Sequence, residues 1–209
     1  MKHKKTLSAA AHVLRTLLRS SGTRKTQHHV MLSFSKFEEE ENAQYSVPPQ
    51  LEYALDEARV FEKCCLVLRE PLDACGDRRI GTTYGGTITP FGSARLRVFD
   101  FLLEAVRVGS EHTKMSLVAH GFFKTAMRLC IHYEWNSFVH SRAETLFSGI
   151  FRSSSPHSCV FRAGVLANSG LCEVIAEAAA ESTFRFESTQ REIRKGYMGH
   201  LVRLSNVLV

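Results

Sequence analysis

The sequence predicts an all-α protein built as an armadillo/HEAT-like helical solenoid, partial and open-ended, and three observations predict it. No stretch sustains the apolar–polar alternation of a strand, whereas apolar residues recur at three- and four-residue steps along most of the chain. Several of these segments are apolar on more than one side, so each must pack between neighbours. A short pattern also returns. His120-Gly121-Phe122-Phe123-Lys124-Thr125-Ala126 is echoed by Ser169-Gly170-Leu171-Cys172-Glu173-Val174-Ile175, in which a glycine ends one element and an apolar helix begins at once. The two glycines are 49 residues apart. That is near the roughly 40–47 residues of armadillo and HEAT units, which bury their apolar faces only by stacking.

Composition sets the outer bounds. The 209 residues are 44% hydrophobic, 23% charged and 10% aromatic, an ordinary globular balance that excludes collagenous and wholly disordered chains. No apolar run approaches the roughly 18 residues a spanning helix needs, so no membrane partner is expected. Of the net charge of +6, the excess lies at the start: residues 1–37 hold eight basic residues and no acidic one. The rest carries 19 basic against 21 acidic residues, which argues against a nucleic-acid surface across the body. Two regions follow, a basic N-terminal helix and linker over 1–37 and a helical-repeat region over 38–209. The six cysteines (Cys64, Cys65, Cys75, Cys130, Cys159 and Cys172) show no C-x-x-C spacing and follow no secretory segment. Reduced thiols in the cytosol or nucleus are expected.

Taken in order, Leu7, Ala10, Ala11, Leu14, Leu17 and Leu18 fall on one helical face of an Arg- and Ser-rich leader. The pattern fits either the first helix of the fold or a mitochondrial transit peptide. Glu38–Glu41 reads as a solvated acidic run. Pro48-Pro49 sets up a helix from about Leu51 that carries Tyr53, Ala54, Ala58, Phe61, Cys65 and Leu68 at helical spacing and closes at Pro71. Residues 73–93, with Gly76, Gly81, Gly85, Gly86, Pro90 and Gly92, form a loop, because no Gly-Lys-Ser/Thr follows that would make it a phosphate cradle.

From Arg95 to Val108, Arg97, Asp100, Glu104 and Arg107 make one narrow polar stripe on a helix otherwise apolar. Gly109-Ser110 stops it and a short connector follows. Phe122–Cys130 forms an apolar helix ended near Trp135-Asn136, and a third helix covers about Ser137–Phe151. Ser153–Pro156 is a loop, with further helices over Leu171–Ala180 and Leu201–Val209. The chain stops inside that last apolar helix without a polar capping element, which points to a piece of a longer solenoid or a shortened product.

No residue pattern calls for catalysis. A Cys130/His132/His140 zinc site lacks a fourth local ligand, and His28-His29 have no neighbouring acid or thiol. There is no G-x-S-x-G elbow, no local Cys–His pair marks an activated thiol, and the paired carboxylates sit on solvent-like faces. We therefore expect no catalytic residue, no metal and no cofactor. The polar residues that stand out (Trp135, Asn136, His140, Tyr197, His200, Arg203, Asn206) gather at helix junctions, where a protein surface or capping and packing would use them.

Those junctions carry a further pattern. Pro90, Gly92, Arg95 and Leu96 make a helix start; Trp135, Asn136, Phe138 and His140 make a turn; Gly196, Tyr197, Met198, Gly199, His200, Leu201, Arg203 and Asn206 make a longer signature. In this order they resemble the SAPS family, regulatory subunits of the protein phosphatase 6 type of Ser/Thr phosphatase. The resemblance spans about 88–151 and 171–209, a middle portion of the family domain, with a short stretch at Ser182–Lys195 where members carry an insertion. It implies a non-catalytic scaffold whose partner is a Ser/Thr phosphatase catalytic subunit, with room for further scaffold subunits. It also makes Trp135, Asn136, His140, Tyr197, Met198, His200, Arg203 and Asn206 the candidate partner-binding residues. The alternatives are a mitochondrially imported helical protein that loses residues 1–30, and a basic-armed nucleic-acid binder.

Overall fold

The computed structural model describes residues 10–17, 47–69, 80–81, 87–153, 159–185 and 192–208. Among them are ten helices. The first, α1, covers residues 10–17. It is followed by α2 (Pro49–Glu57), α3 (Val60–Arg69), α4 (Ser93–Val108), α5 (Glu111–Ala119) and α6 (Phe122–His132). The remainder are α7 (Ser137–Arg152), α8 (Cys159–Ser169), α9 (Leu171–Ala180) and α10 (Met198–Leu208). Two short antiparallel hairpins interrupt the helices: β1 (Ile80–Gly81) with β2 (Thr87–Ile88), and β3 (Thr183–Arg185) with β4 (Glu192–Arg194).

Every helix in the middle of the chain packs against the helix three places on. α4 lies on α7 and α7 on α10; α3 lies on α6 and α6 on α9; α5 lies on α8. The Glu52 carboxylate of α2 accepts from the Ser110 backbone N–H at the start of α5, 2.6 Å away, and Arg15 of α1 reaches Asp100 of α4. The repeating unit is thus three helices, the armadillo arrangement, and the fold is an all-helical solenoid.

The echo seen in the sequence marks one place in this unit. Gly121 and Gly170 both hold left-handed backbone (φ +66° and +70°) where the second helix of a unit turns into the third. The same corner before α3 is occupied by Arg59 at φ +51°. Because no glycine marks that corner, the periodicity from Tyr53 to Leu68 reads as one helix, and the structure splits it at Ala58-Arg59. Phe61, Cys65 and Leu68 are buried as expected, but Tyr53 remains 69% exposed.

The other helices follow the sequence with few changes. α4 is buried around most of its circumference, and even Glu104 of its polar stripe is 2% exposed, held to Arg107 at 2.6 Å. Two helices, α5 and α8, occupy stretches that the periodicity leaves blank. α10 begins at Met198, earlier than the apolar run beginning at Leu201. In α1, Ala11 is buried and Leu14 packs on the core, while Ala10 and Leu17 are exposed; Leu7, Leu18, Glu38–Glu41 and Cys75 lie outside the described residues.

The core is aromatic. Phe99, Phe122, Phe123, Phe147 and Phe161 form a chain of ring contacts with centroids 5.3–6.3 Å apart, tying α4, α6, α7 and α8 together. Such pairs add about 0.5–1.5 kcal/mol each beyond their buried area. Cys64, Cys65 and Cys130 are buried within this core and their thiols are pushed up to about 12 by burial, so they pack as small hydrophobes. Cys159 and Cys172 are exposed and free. Among the described residues no single helix is long and apolar enough to cross a membrane.

Candidate functional site

The turn between α6 and α7 and the start of α10 meet, and most of the candidate residues meet with them. Asn136 caps α7: its side-chain oxygen accepts from the backbone N–H groups of Phe138 and Val139 at 3.1 and 3.2 Å. This satisfies donors that a helix start otherwise leaves open. Gly196 is there because nothing larger fits: a Cβ at that position would stand 2.5 Å from the Glu134 carbonyl oxygen and 3.3 Å from Trp135 Cε3. The backbone that leads into α10 therefore lies directly on the α6–α7 turn.

His140 is the centre of the junction. It is 1% exposed, and its Nε2 stands 3.0 Å from the Tyr133 carbonyl, which fixes that nitrogen as the donor. The rings of Tyr197 and His200 lie 6.1 and 5.4 Å from its own. Burial, aided by the neighbouring His200, pulls the His140 imidazole down from 6.5 to about 4. The ring is neutral near pH 7. Tyr197 and Met198 are also buried, so these three side chains shape the junction from inside.

The outer layer is ionic. Glu144, 2% exposed on α7, accepts from His200 Nδ1 at 2.5 Å and from Arg203 Nε and Nη2 at 2.6 and 2.9 Å. Burial alone would raise this carboxyl, but the paired hydrogen bonds from Arg203 and the one from His200 outweigh it, and its pKa is lowered. A two-pronged guanidinium–carboxylate pair of this kind fixes orientation as well as charge. Trp135 remains 38% exposed and Phe138 63%, and Asn206 is exposed on α10 three residues beyond Arg203. Of the eight candidates, seven are brought to one junction and Asn206 is not.

The family profile described as SAPS, SIT4 phosphatase-associated protein, matches residues 107–209, which begin near the end of α4 and contain this junction. This stretch, just under half of the chain, is similar to the SAPS family. Serine/threonine-protein phosphatase 6 regulatory subunit 1 of Mus musculus is 30% identical over 135 residues, covering 61% of this chain and 16% of its own length. Regulatory subunit 3 of Gallus gallus is 26% identical over 180 residues, covering 80% of this chain and 20% of its own. Regulatory subunit 3-A of Xenopus laevis is 26% identical over 140 residues, covering 61% and 16%. The chain spans a fifth or less of the length of these relatives. No solved structure matches it.

The SAPS stretch holds all eight candidates, whereas Pro90, Gly92, Arg95 and Leu96 lie ahead of it. Two residues that sequence reasoning left out of the candidate contact set complete the picture. Glu144 is one; an acid four residues after His140, amid buried positions on both sides, was its signal. Arg95 is the other: 9% exposed, it donates to the Leu68 carbonyl at 2.7 Å and to Tyr133 Oη at 3.0 Å, with its guanidinium over the Phe91 ring. It ties α3 and α4 to the turn that SAPS residues build. Among the described residues no group of three His, Cys, Asp or Glu side chains is placed to hold a metal ion.

Proposed function

We propose that this chain is a non-catalytic regulatory element that binds the catalytic subunit of a protein phosphatase 6-type Ser/Thr phosphatase and directs or modulates dephosphorylation. The observation that carries this reading is the SAPS match over residues 107–209 together with relatives named as regulatory subunits of that phosphatase. A solenoid supports it physically, because stacked helices present a long continuous surface to another folded protein. The contact we favour is the exposed rim of the junction, Trp135, Phe138 and Arg203, with Asn206 farther along α10 and with His140, Tyr197, Met198 and the Asn136 cap holding that rim in shape. Exposed tryptophan and arginine on a rigid base are typical of residues that dominate interface energetics.

The test is capture of the phosphatase catalytic subunit on immobilised full-length chain, compared with Trp135→Ala and Phe138→Ala variants whose helicity is verified by circular dichroism. Retention of the catalytic subunit, weakened about tenfold or more by Trp135→Ala, is the expected result. A folded wild-type chain that retains none would overturn it. We also propose a cytoplasmic or nuclear site in which α1 is kept, a reading supported by the burial of Ala11 and the bond from Arg15 to Asp100. N-terminal sequencing of the cellular protein decides between that and import with loss of residues 1–30.

A further inference from the structure

We propose that the face formed by α1, α4, α7 and α10 binds an extended partner segment carrying phosphoserine or phosphothreonine, with the phosphoryl group seated between α1 and α4. The face has a register. Arg142 and Arg203 are each the sixth residue of their helices, and Arg15, Arg142 and Arg203 each reach an acid on a neighbouring rung. Arg15 and Arg142 bind Asp100 at 3.5 and 3.0 Å, and Arg203 binds Glu144 at 2.6 Å. Asp100 and Glu144 in turn share the eighth position of α4 and α7. The acids lie beneath, with side chains 14% and 2% exposed, while the Arg15, Arg142 and Arg203 side chains keep 30%, 22% and 57% of their surface. The carboxylates point inward and the guanidiniums form the outer row.

At one point this row opens into a cavity of about 300 Å³ lined by His12, Arg15, Ser93, Leu96, Arg97 and Asp100. Two guanidiniums, an imidazole and a hydroxyl line it together. Asp100 is already countered by Arg15 and Arg142, so the site as a whole stays cationic. Three phosphoryl oxygens can use more of these donors than the two oxygens of a carboxylate, and guanidinium forks match phosphate geometry. Farther along, Phe138 is exposed under the Arg142 guanidinium, 5.7 Å from its ring centroid, and Val202 is half-exposed on α10. These give the flanking residues of a bound segment apolar contact. The row has one charge per rung and two acids set within it, too sparse for the continuous phosphate repeat of a nucleic acid. Phe138 and Arg203 also belong to the rim proposed for the phosphatase, so the test is made on the chain alone, where its failure leaves that reading untouched.

The test is fluorescence anisotropy on the full chain with a degenerate library of labelled peptides in which a central phosphothreonine is fixed. An unphosphorylated twin library and a single-stranded oligouridylate serve as competing probes. We expect the phosphorylated library to bind, to weaken with salt, and to lose about tenfold or more in affinity with Arg97→Glu. Arg97 is exposed, so this variant should keep its circular dichroism spectrum and melting temperature. Phe138→Ala should weaken binding less. Failure of the phosphorylated library to bind overturns the proposal, as does equal binding of its unphosphorylated twin. Tighter binding of the oligouridylate overturns it in favour of nucleic acid, and an Arg97→Glu variant that binds like the wild type overturns the assignment of the cavity.

Discussion

His140 sits where acid should first loosen this protein. The unfolded chain takes up a proton at about 6.5, while the folded chain resists until about 4 because the buried ring cannot hold charge beside His200. Between those values the unfolded state binds more protons, so stability falls as pH falls. The window is worth about 3 kcal/mol, at roughly 1.4 kcal/mol per pKa unit. Glu144 adds a loss in the same direction only below its usual 4.5, where its ion pairs are finally protonated. Thermal melts from pH 7.5 to 4 should show the midpoint dropping mostly below pH 6.5, and His140→Gln should flatten that slope. An unchanged slope in the variant would remove His140 as its source. Gly196 supplies a second residue-scale prediction. Gly196→Ala drives a Cβ against the Glu134 carbonyl, a backbone atom that cannot swing aside, and should cost about 2–3 kcal/mol by chemical denaturation. If it costs nothing, α10 does not sit on the α6–α7 turn as described.

At the scale of elements, the corner before each unit's third helix explains both what the sequence disclosed and what it concealed. Gly121 and Gly170 announce their corners, so α6 and α9 are legible, whereas Arg59 takes the same left-handed turn unannounced and hides the break between α2 and α3. α4 is legible because its apolar residues surround it. α5 is not, since Thr113 and Leu117 are its only buried side chains, and α8 buries only Phe161, Val165 and Ser169 in a short stretch with glycine at its centre. The junction was legible as a motif but not as a mechanism: Trp135, His140 and Tyr197 are conspicuous residue types, while Glu144, the carboxylate that binds α10, looks like any mid-helix acid. The shared corner is testable. Arg59→Gly should stabilise by about 0.5–1 kcal/mol, because relief of the left-handed strain exceeds the added freedom of the unfolded chain and the loss of one exposed pair to Glu62. Gly170→Ala, with open space around its Cβ, should cost about 1 kcal/mol from backbone strain alone. Equal and opposite signs at equivalent corners would identify them as one device, and a destabilised Arg59→Gly would separate them.

At the scale of the whole molecule, three-helix stacking fixes how the chain comes apart. Each rung touches only its neighbours, so stability is a sum of unit and interface contributions and opening starts at the rung held by the fewest interactions. The best-supported region is the middle. α4, α6 and α7 share the Phe99–Phe122–Phe123–Phe147 ring contacts, the Arg95 clamp to Leu68 and Tyr133, and the Asp100–Arg142 pair. Among the described residues, α1 meets α4 through the Arg15–Asp100 pair and sets Ala11 and Leu14 on the core, and α10 is held through Glu144, Leu201 and Leu204. Native-state hydrogen exchange should therefore find Val98–Ala105, Phe122–Cys130 and Val139–Ile150 slowest, at the free energy of global unfolding. α1 should exchange fastest and α10 between, and lowering the pH to 5 should release α10 selectively, because His140 and Tyr197 form its seat. Uniform protection across α1, α4, α7 and α10 would mean that the helices form a single cooperative block rather than a ladder. The rim of the junction would then be held as rigidly as the core instead of resting partly on α10, a rung that opens before it.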